Sequence, residues 1–185
     1  MRTSSTAVVA LLLLAAPVFA QGKTDFSSTA SGVVGLGKTW DDEGQIGSGP
    51  LVGARIDRRL FGNSFLEVSI DNLGHDRSDR FEANGHTTLF AASLVQRFGS
   101  ANAQPYVLGG VAIAHHTGTA GFPELGLINE TSSTDPGFLF GGGIAFPIAR
   151  RIEIGPEGRF LILKAATDSA PAFQYWVGAR VGVRF

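Results

Sequence analysis

The sequence predicts an all-β fold: an eight-stranded antiparallel up-and-down transmembrane β-barrel, preceded by a cleaved signal peptide. Three observations predict it. Apolar and polar residues alternate with a period of two over most of the chain beyond residue 20, eight such runs can be counted, and the connections between them are in turn short and long. Successive strand side chains point to opposite faces, so alternation of this kind marks a strand with one oily side. A length of 185 residues fits one domain. The formal net charge of -1 argues against a duplex-binding protein, which must neutralise phosphates. The absence of Cys removes disulfide frameworks, Cys-ligated zinc and Cys nucleophiles.

The N-terminus reads as an export signal. Arg2 is the sole charge in the first 20 residues, Ala7 to Ala16 form an unbroken apolar run, and Val18-Phe19-Ala20 places small residues before Gln21. A membrane-spanning helix needs about 20 apolar residues, and Pro17 stops this run short. Residues 1–20 are therefore expected to be removed and 21–185 to form the barrel, with no later segment apolar enough to span as a helix.

The first strand, Ala30 to Trp40, is small on both faces and its orientation stays open. In the second, Val52, Ala54 and Ile56 alternate with Gly53, Arg55 and Asp57. The third sets Leu66, Val68 and Ile70 against Phe65, Glu67, Ser69 and Asp71. The fourth sets Thr88, Phe90, Ala92, Leu94 and Phe98 against Thr87, Ala91, Ser93 and Arg97, with Gln96 as a blemish. The fifth, Pro105 to His116, is again open in orientation. In the sixth, Phe138, Phe140, Ile144 and Phe146 oppose Gly141, Gly143 and Ala145, and in the seventh Ile152, Ile154, Phe160 and Ile162 oppose Glu153, Glu157 and Arg159. The eighth is the clearest: Phe173, Tyr175, Val177, Ala179, Val181, Val183 and Phe185 share one face, while Gln174, Trp176, Gly178, Arg180, Gly182 and Arg184 share the other. Short connections are read at Arg58 to Asn63, Gly99 to Gln104 and Pro147 to Arg151, and long polar loops at Asn72 to Gly85 and Thr117 to Asp135, with shorter links at Asp41 to Gly47 and Ala166 to Ala172.

Alternation alone does not separate a barrel in lipid from a water-soluble, lipocalin-like carrier of opposite polarity. The length of the apolar faces, the Gly, Ala, Ser and charged residues opposite them, and the aromatic Phe185 at the end favour lipid. An Arg on the lipid side costs about 2–4 kcal/mol near mid-membrane, so the arginines are assigned inward. The expected lumen charge network is Arg55, Arg97, Arg159, Arg180 and Arg184 against Asp57, Glu67, Asp71, Glu153 and Glu157. Such charges persist only when paired, which predicts a plugged interior.

The signal, the eight strands, Pro105-Tyr106-Val107-Leu108-Gly109-Gly110-Val111, Glu157 and Arg159 around Gly158, and Phe185 together resemble the small outer-membrane β-barrels of the OmpA and OmpX type. That resemblance implies the outer membrane of a Gram-negative-type bacterium, outer-membrane lipid and lipopolysaccharide as surroundings, and a monomer. It also implies an assembly signal, carried here by Tyr175, Val181, Val183 and Phe185 and read by the barrel-assembly machinery. The peptidoglycan-binding domain of the larger OmpA proteins has no counterpart in this sequence. The implied role is structural, in envelope integrity or surface interaction, with no catalytic residues, cofactor, metal site or nucleic-acid partner.

Two motifs point elsewhere. Gly32-Val33-Val34-Gly35-Leu36-Gly37-Lys38-Thr39 fits G-x-x-x-x-G-K-[ST], but the motif needs a loop entering a helix, and Gly44, Gly47, Gly49 and Pro50 follow. His75, His86, His115 and His116 could serve a lipid A deacylase-like enzyme only with a hydroxyl nucleophile in reach, and Thr117 stands where the His-x-Ser pattern needs Ser. Adjacent His115 and His116 should point to opposite faces.

Overall fold

The computed structural model describes residues 27–41, 44–78, 82–99, 102–122, 127–164 and 172–185. The signal-peptide reading lies outside them. Eight strands run in order: β1 (Ser28–Asp41), β2 (Gly44–Phe61), β3 (Ser64–Ser78), β4 (Glu82–Arg97), β5 (Gln104–Phe122), β6 (Leu127–Pro147), β7 (Ile152–Leu163) and β8 (Ala172–Arg184). Each pairs antiparallel with the next, and β1 pairs with β8 from Thr29↔Arg184 to Trp40↔Phe173, which closes the barrel. Reciprocal backbone bonds between Ser28 and Phe185, 3.0 and 2.9 Å, finish the seam. Closure leaves no unpaired edge, the condition for strands to sit in hydrocarbon.

The faces follow the alternation. Val52, Ile56, Val68, Ile70, Phe90, Leu94, Phe138, Phe140, Val177 and Val181 lie outside, while Arg55, Asp57, Glu67, Asp71, Glu153, Glu157, Arg159 and Arg180 are buried inside. The two open orientations are now fixed. On β1, Ser31, Val33 and Thr39 face in and Val34 and Leu36 face out; on β5, Tyr106, Leu108, Ala112 and Ala114 face in and Val107, Val111 and Ile113 out. This polarity excludes the water-soluble carrier.

Three connections differ from the sequence reading. The stretches 72–85 and 117–135 are not loops but mostly strand: β3 and β4 stay paired to Ser78↔Glu82, and β5 and β6 to Phe122↔Leu127. Likewise β2 begins at Gly44, paired with Asp41, within the stretch Asp41 to Gly47 read as a link. The physical reason is shared. Beyond the lipid both faces meet water or polar neighbours, so alternation fades while the backbone ladder continues. At the opposite end the turns are tight, and Gly62 (φ 50°) and Gly99 (φ 88°) occupy the left-handed region that favours glycine there. The G-x-x-x-x-G-K-T segment lies within β1, hydrogen-bonded to β2 and β8, with no loop or helix N-terminus to cradle a phosphate.

Candidate functional site

The interior is layered. Nearest the short turns, Arg97 donates to Asp57 (2.9 Å) and to both oxygens of Glu153 (3.1 and 3.2 Å). Arg180 donates to Asp57 and lies 3.6 Å from Glu67 and 3.7 Å from Glu153. One layer up, Arg159 forks onto Glu67 at 2.7 and 3.0 Å and reaches Glu157 at 3.2 Å. Arg55 bridges Asp71 (3.0 Å) and Glu157, and the Tyr106 hydroxyl donates to Glu157 at 3.0 Å. Arg184 sits at the rim of this network, 3.9 Å from Glu153, with one guanidinium nitrogen 3.5 Å from the carbonyls of Ala149 and Arg150. All ten residues read from the sequence as lumen charges thus meet in one web.

Local sequence makes the web possible. Long side chains fit a narrow cylinder only where neighbours are bare. A Cβ on Gly53 would overlap the Asp71 carboxylate, and one on Gly143 would crowd the Tyr106 hydroxyl. Aromatic faces cover the cations: the Arg97 guanidinium lies 4.7 Å from the Phe65 ring and that of Arg180 5.7 Å from Tyr106.

Sequence reasoning missed what lies above. Leu51, Leu73, Leu89, Leu139, Leu161, Leu163 and Trp176 form an apolar layer inside the barrel. The signal was present in Gly137-Phe138-Leu139-Phe140 and Phe160-Leu161-Ile162-Leu163, apolar on both faces. Above the leucines sits a polar layer. The hydroxyl of Thr87 meets His75 Nε2 (2.5 Å), His116 Nδ1 (2.7 Å) and the Gln174 amide (3.1 Å). His75 Nδ1 continues to Thr39 (3.0 Å), and His116 Nε2 lies 3.9 Å from Asp135. These six side chains come from β1, β3, β4, β5, β6 and β8. A hydroxyl has one proton and two lone pairs, and the Gln174 NH₂ takes one lone pair. Only one of the two imidazoles can therefore donate to Thr87 while the other accepts from it.

His115 points outward as expected, bonded to Thr134 at 2.9 Å. With Thr88, His86 and Thr117 also outside at this level, the lipid-facing belt ends below it, and His116 lies beyond the membrane-spanning segments. Burial holds the His116 pKa below the ordinary imidazole value, against the opposing pull of Asp135 and with a smaller push from His115. On the outer surface, His86 and Thr117 form a hydroxyl–imidazole pair across β4 and β5 at 3.0 Å, a pairing the sequence did not disclose.

A closed eight-stranded barrel, oily outside and ion-paired within, is the geometry of an outer-membrane protein, and the family model for the outer membrane protein β-barrel domain matches residues 6–185. The chain belongs to that family. Its place is the outer membrane of a Gram-negative bacterium, where barrels of this kind keep their short turns in the periplasm and their longer connections outside. Among solved structures it is similar to Neisserial surface protein A (TM-score 0.71, 12% identity, covering 85% of this chain and 97% of that one). It is also similar to the N-terminal β-barrel domain of Pseudomonas aeruginosa OprF (0.53, 15%, 86% and 98%) and to the outer membrane enzyme PagL (0.53, 17%, 85% and 99%). At such identities these likenesses speak for the fold alone, and enzymes and non-enzymes share it. Comparison with curated protein sequences gives no match.

Proposed function

We propose that this protein is a non-catalytic, monomeric element of the outer membrane that anchors and braces the envelope and offers its long hairpins for surface contact with lipopolysaccharide. The observation that carries this reading is the filled lumen: among the described residues, a two-tier ion-pair web under a leucine layer occupies the interior, which argues against diffusion through the barrel as its work. Purified protein in planar bilayers should give no steady conductance; a stable ohmic channel of the intact chain would refute the reading. Insertion is assigned to the barrel-assembly machinery through Tyr175, Val181, Val183 and Phe185, and deletion of Phe185 should lower the amount of folded, heat-modifiable protein in the envelope. The His86–Thr117 pair favours a second reading, a lipid-directed hydrolase with Thr117 as nucleophile. Mass spectrometry of lipid A from overexpressing cells tests it, with an unchanged acylation pattern expected.

A further inference from the structure

Two groups of arginines contrast. Those in the lumen are paired, whereas Arg58, Arg150 and Arg151 are exposed at the short-turn end and have no carboxylate partner among the described residues. Arg58 lies on the outward face of β2, two residues below Ile56 and paired with Leu66, both of which face lipid. Arg150 and Arg151 lie in the turn between β6 and β7. Large apolar side chains are interleaved with them: Phe61 is 72% exposed, Ile148 60% and Leu60 49%. Among the described residues, the acidic side chains of this end, Asp57 and Glu153, are sequestered inside against Arg97 and Arg180. The rim therefore presents cations whose flanking side chains are oily and continuous with the lipid belt.

We infer that this periplasmic rim binds the phosphates of anionic phospholipids in the inner leaflet of the outer membrane. Guanidinium forks match phosphate oxygens in pairs. Long arginine stems reach along apolar surface while their heads stay at the interface. A soluble polyanion would satisfy the charges but leave Phe61 and Ile148 in water; a leaflet satisfies both. The two arginine groups lie on opposite sides of the barrel, Arg58 near the end of β2 and Arg150 and Arg151 in the β6–β7 turn, and a surrounding leaflet contacts both at once. The inference rests on the outer-membrane placement of the barrel and adds a lipid preference to it.

The test uses the mature chain folded in phosphatidylcholine nanodiscs with and without phosphatidylglycerol, followed by native mass spectrometry of the lipids retained on release. The wild type should retain phosphatidylglycerol over phosphatidylcholine. A basic residue near an anionic surface is worth about 1 kcal/mol, so each arginine removed should weaken the preference about fivefold. The R58Q/R150Q/R151Q variant should lose it, while K164Q, a neutralisation at the opposite end, should keep it. Equal retention of the two lipids by the wild type, an undiminished preference in the triple variant, or an equal loss in K164Q would each overturn the inference. Heat-modifiable mobility measured on every sample reports the barrel separately, so a folded barrel without lipid preference sinks only this claim.

Discussion

Replacing Arg180 by Leu removes the side chain that ties the two charge tiers together. Arg180 is 2% exposed, donates to Asp57, and lies within 4 Å of Glu67 and Glu153. Breaking a buried pair from one side costs about 3–5 kcal/mol because the abandoned charge stays buried. Here Asp57 keeps Arg97 at 2.9 Å and Glu153 keeps it at 3.1 Å, and Glu67 keeps the Arg159 fork, so the lower end, about 3 kcal/mol, is expected. At about 1.4 kcal/mol per decade that is roughly a hundredfold in the unfolding equilibrium. With a urea slope of about 1–3 kcal/mol/M, the midpoint of a titration followed by tryptophan fluorescence in fixed detergent should fall by roughly 1–3 M. The R180L/D57N double variant should recover part of the loss, since it removes the charge that R180L strands. If R180L does not fold, R180K keeps the charge and loses the fork, and should be destabilised by less. An R180L barrel as stable as wild type would refute the claim that the lumen charges act as one buried network.

Three further outcomes follow from the same geometry. V177R puts a cation on the lipid face, where Val177 is 57% exposed, and should lower stability in lipid by about 2–4 kcal/mol; equal denaturation midpoints for V177R and V177A would contradict the lipid assignment. G53L drives a side chain into the space of the Asp71 carboxylate, detaching it from Arg55, and should destabilise by about 1–3 kcal/mol as overpacking does, read by the same titration. The histidine layer sets a pH dependence. Because the folded pKa of His116 lies below the ordinary value near 6.5, the folded state binds fewer protons than the unfolded one. Its stability contribution is therefore complete above pH 6.5 and is lost as pH falls from there towards the depressed folded pKa. H116Q should flatten that decline in a series of urea midpoints across this range, and an unchanged slope would count against it.

What the sequence disclosed and what it hid divide at the membrane boundary. Within the hydrocarbon one face must be apolar and the other must not, so Val52 to Asp57 and Phe173 to Phe185 could be oriented residue by residue. The charge web was legible for the same reason, since ten ionisable side chains on inward faces had nowhere to go except to one another. Outside the lipid that constraint lapses. The paired stretches 72–78 and 117–122 carry no polarity rhythm, and a backbone ladder leaves no mark on composition, so they looked like loops. The leucine layer was hidden by a different mechanism. Leu139 and Leu161 flank outward Phe138, Phe140 and Phe160, and an all-apolar run reads as lipid-facing unless neighbouring strands are placed in register. The convergence of His75, His116 and Gln174 on Thr87 was likewise invisible, because residues from four strands meet only once the cylinder closes and its long hairpins hold their register to the top. A charge on a strand must find a partner and can be inferred from solvation alone; a neutral hydroxyl shared by two imidazoles depends on shear and stagger, which no single strand encodes.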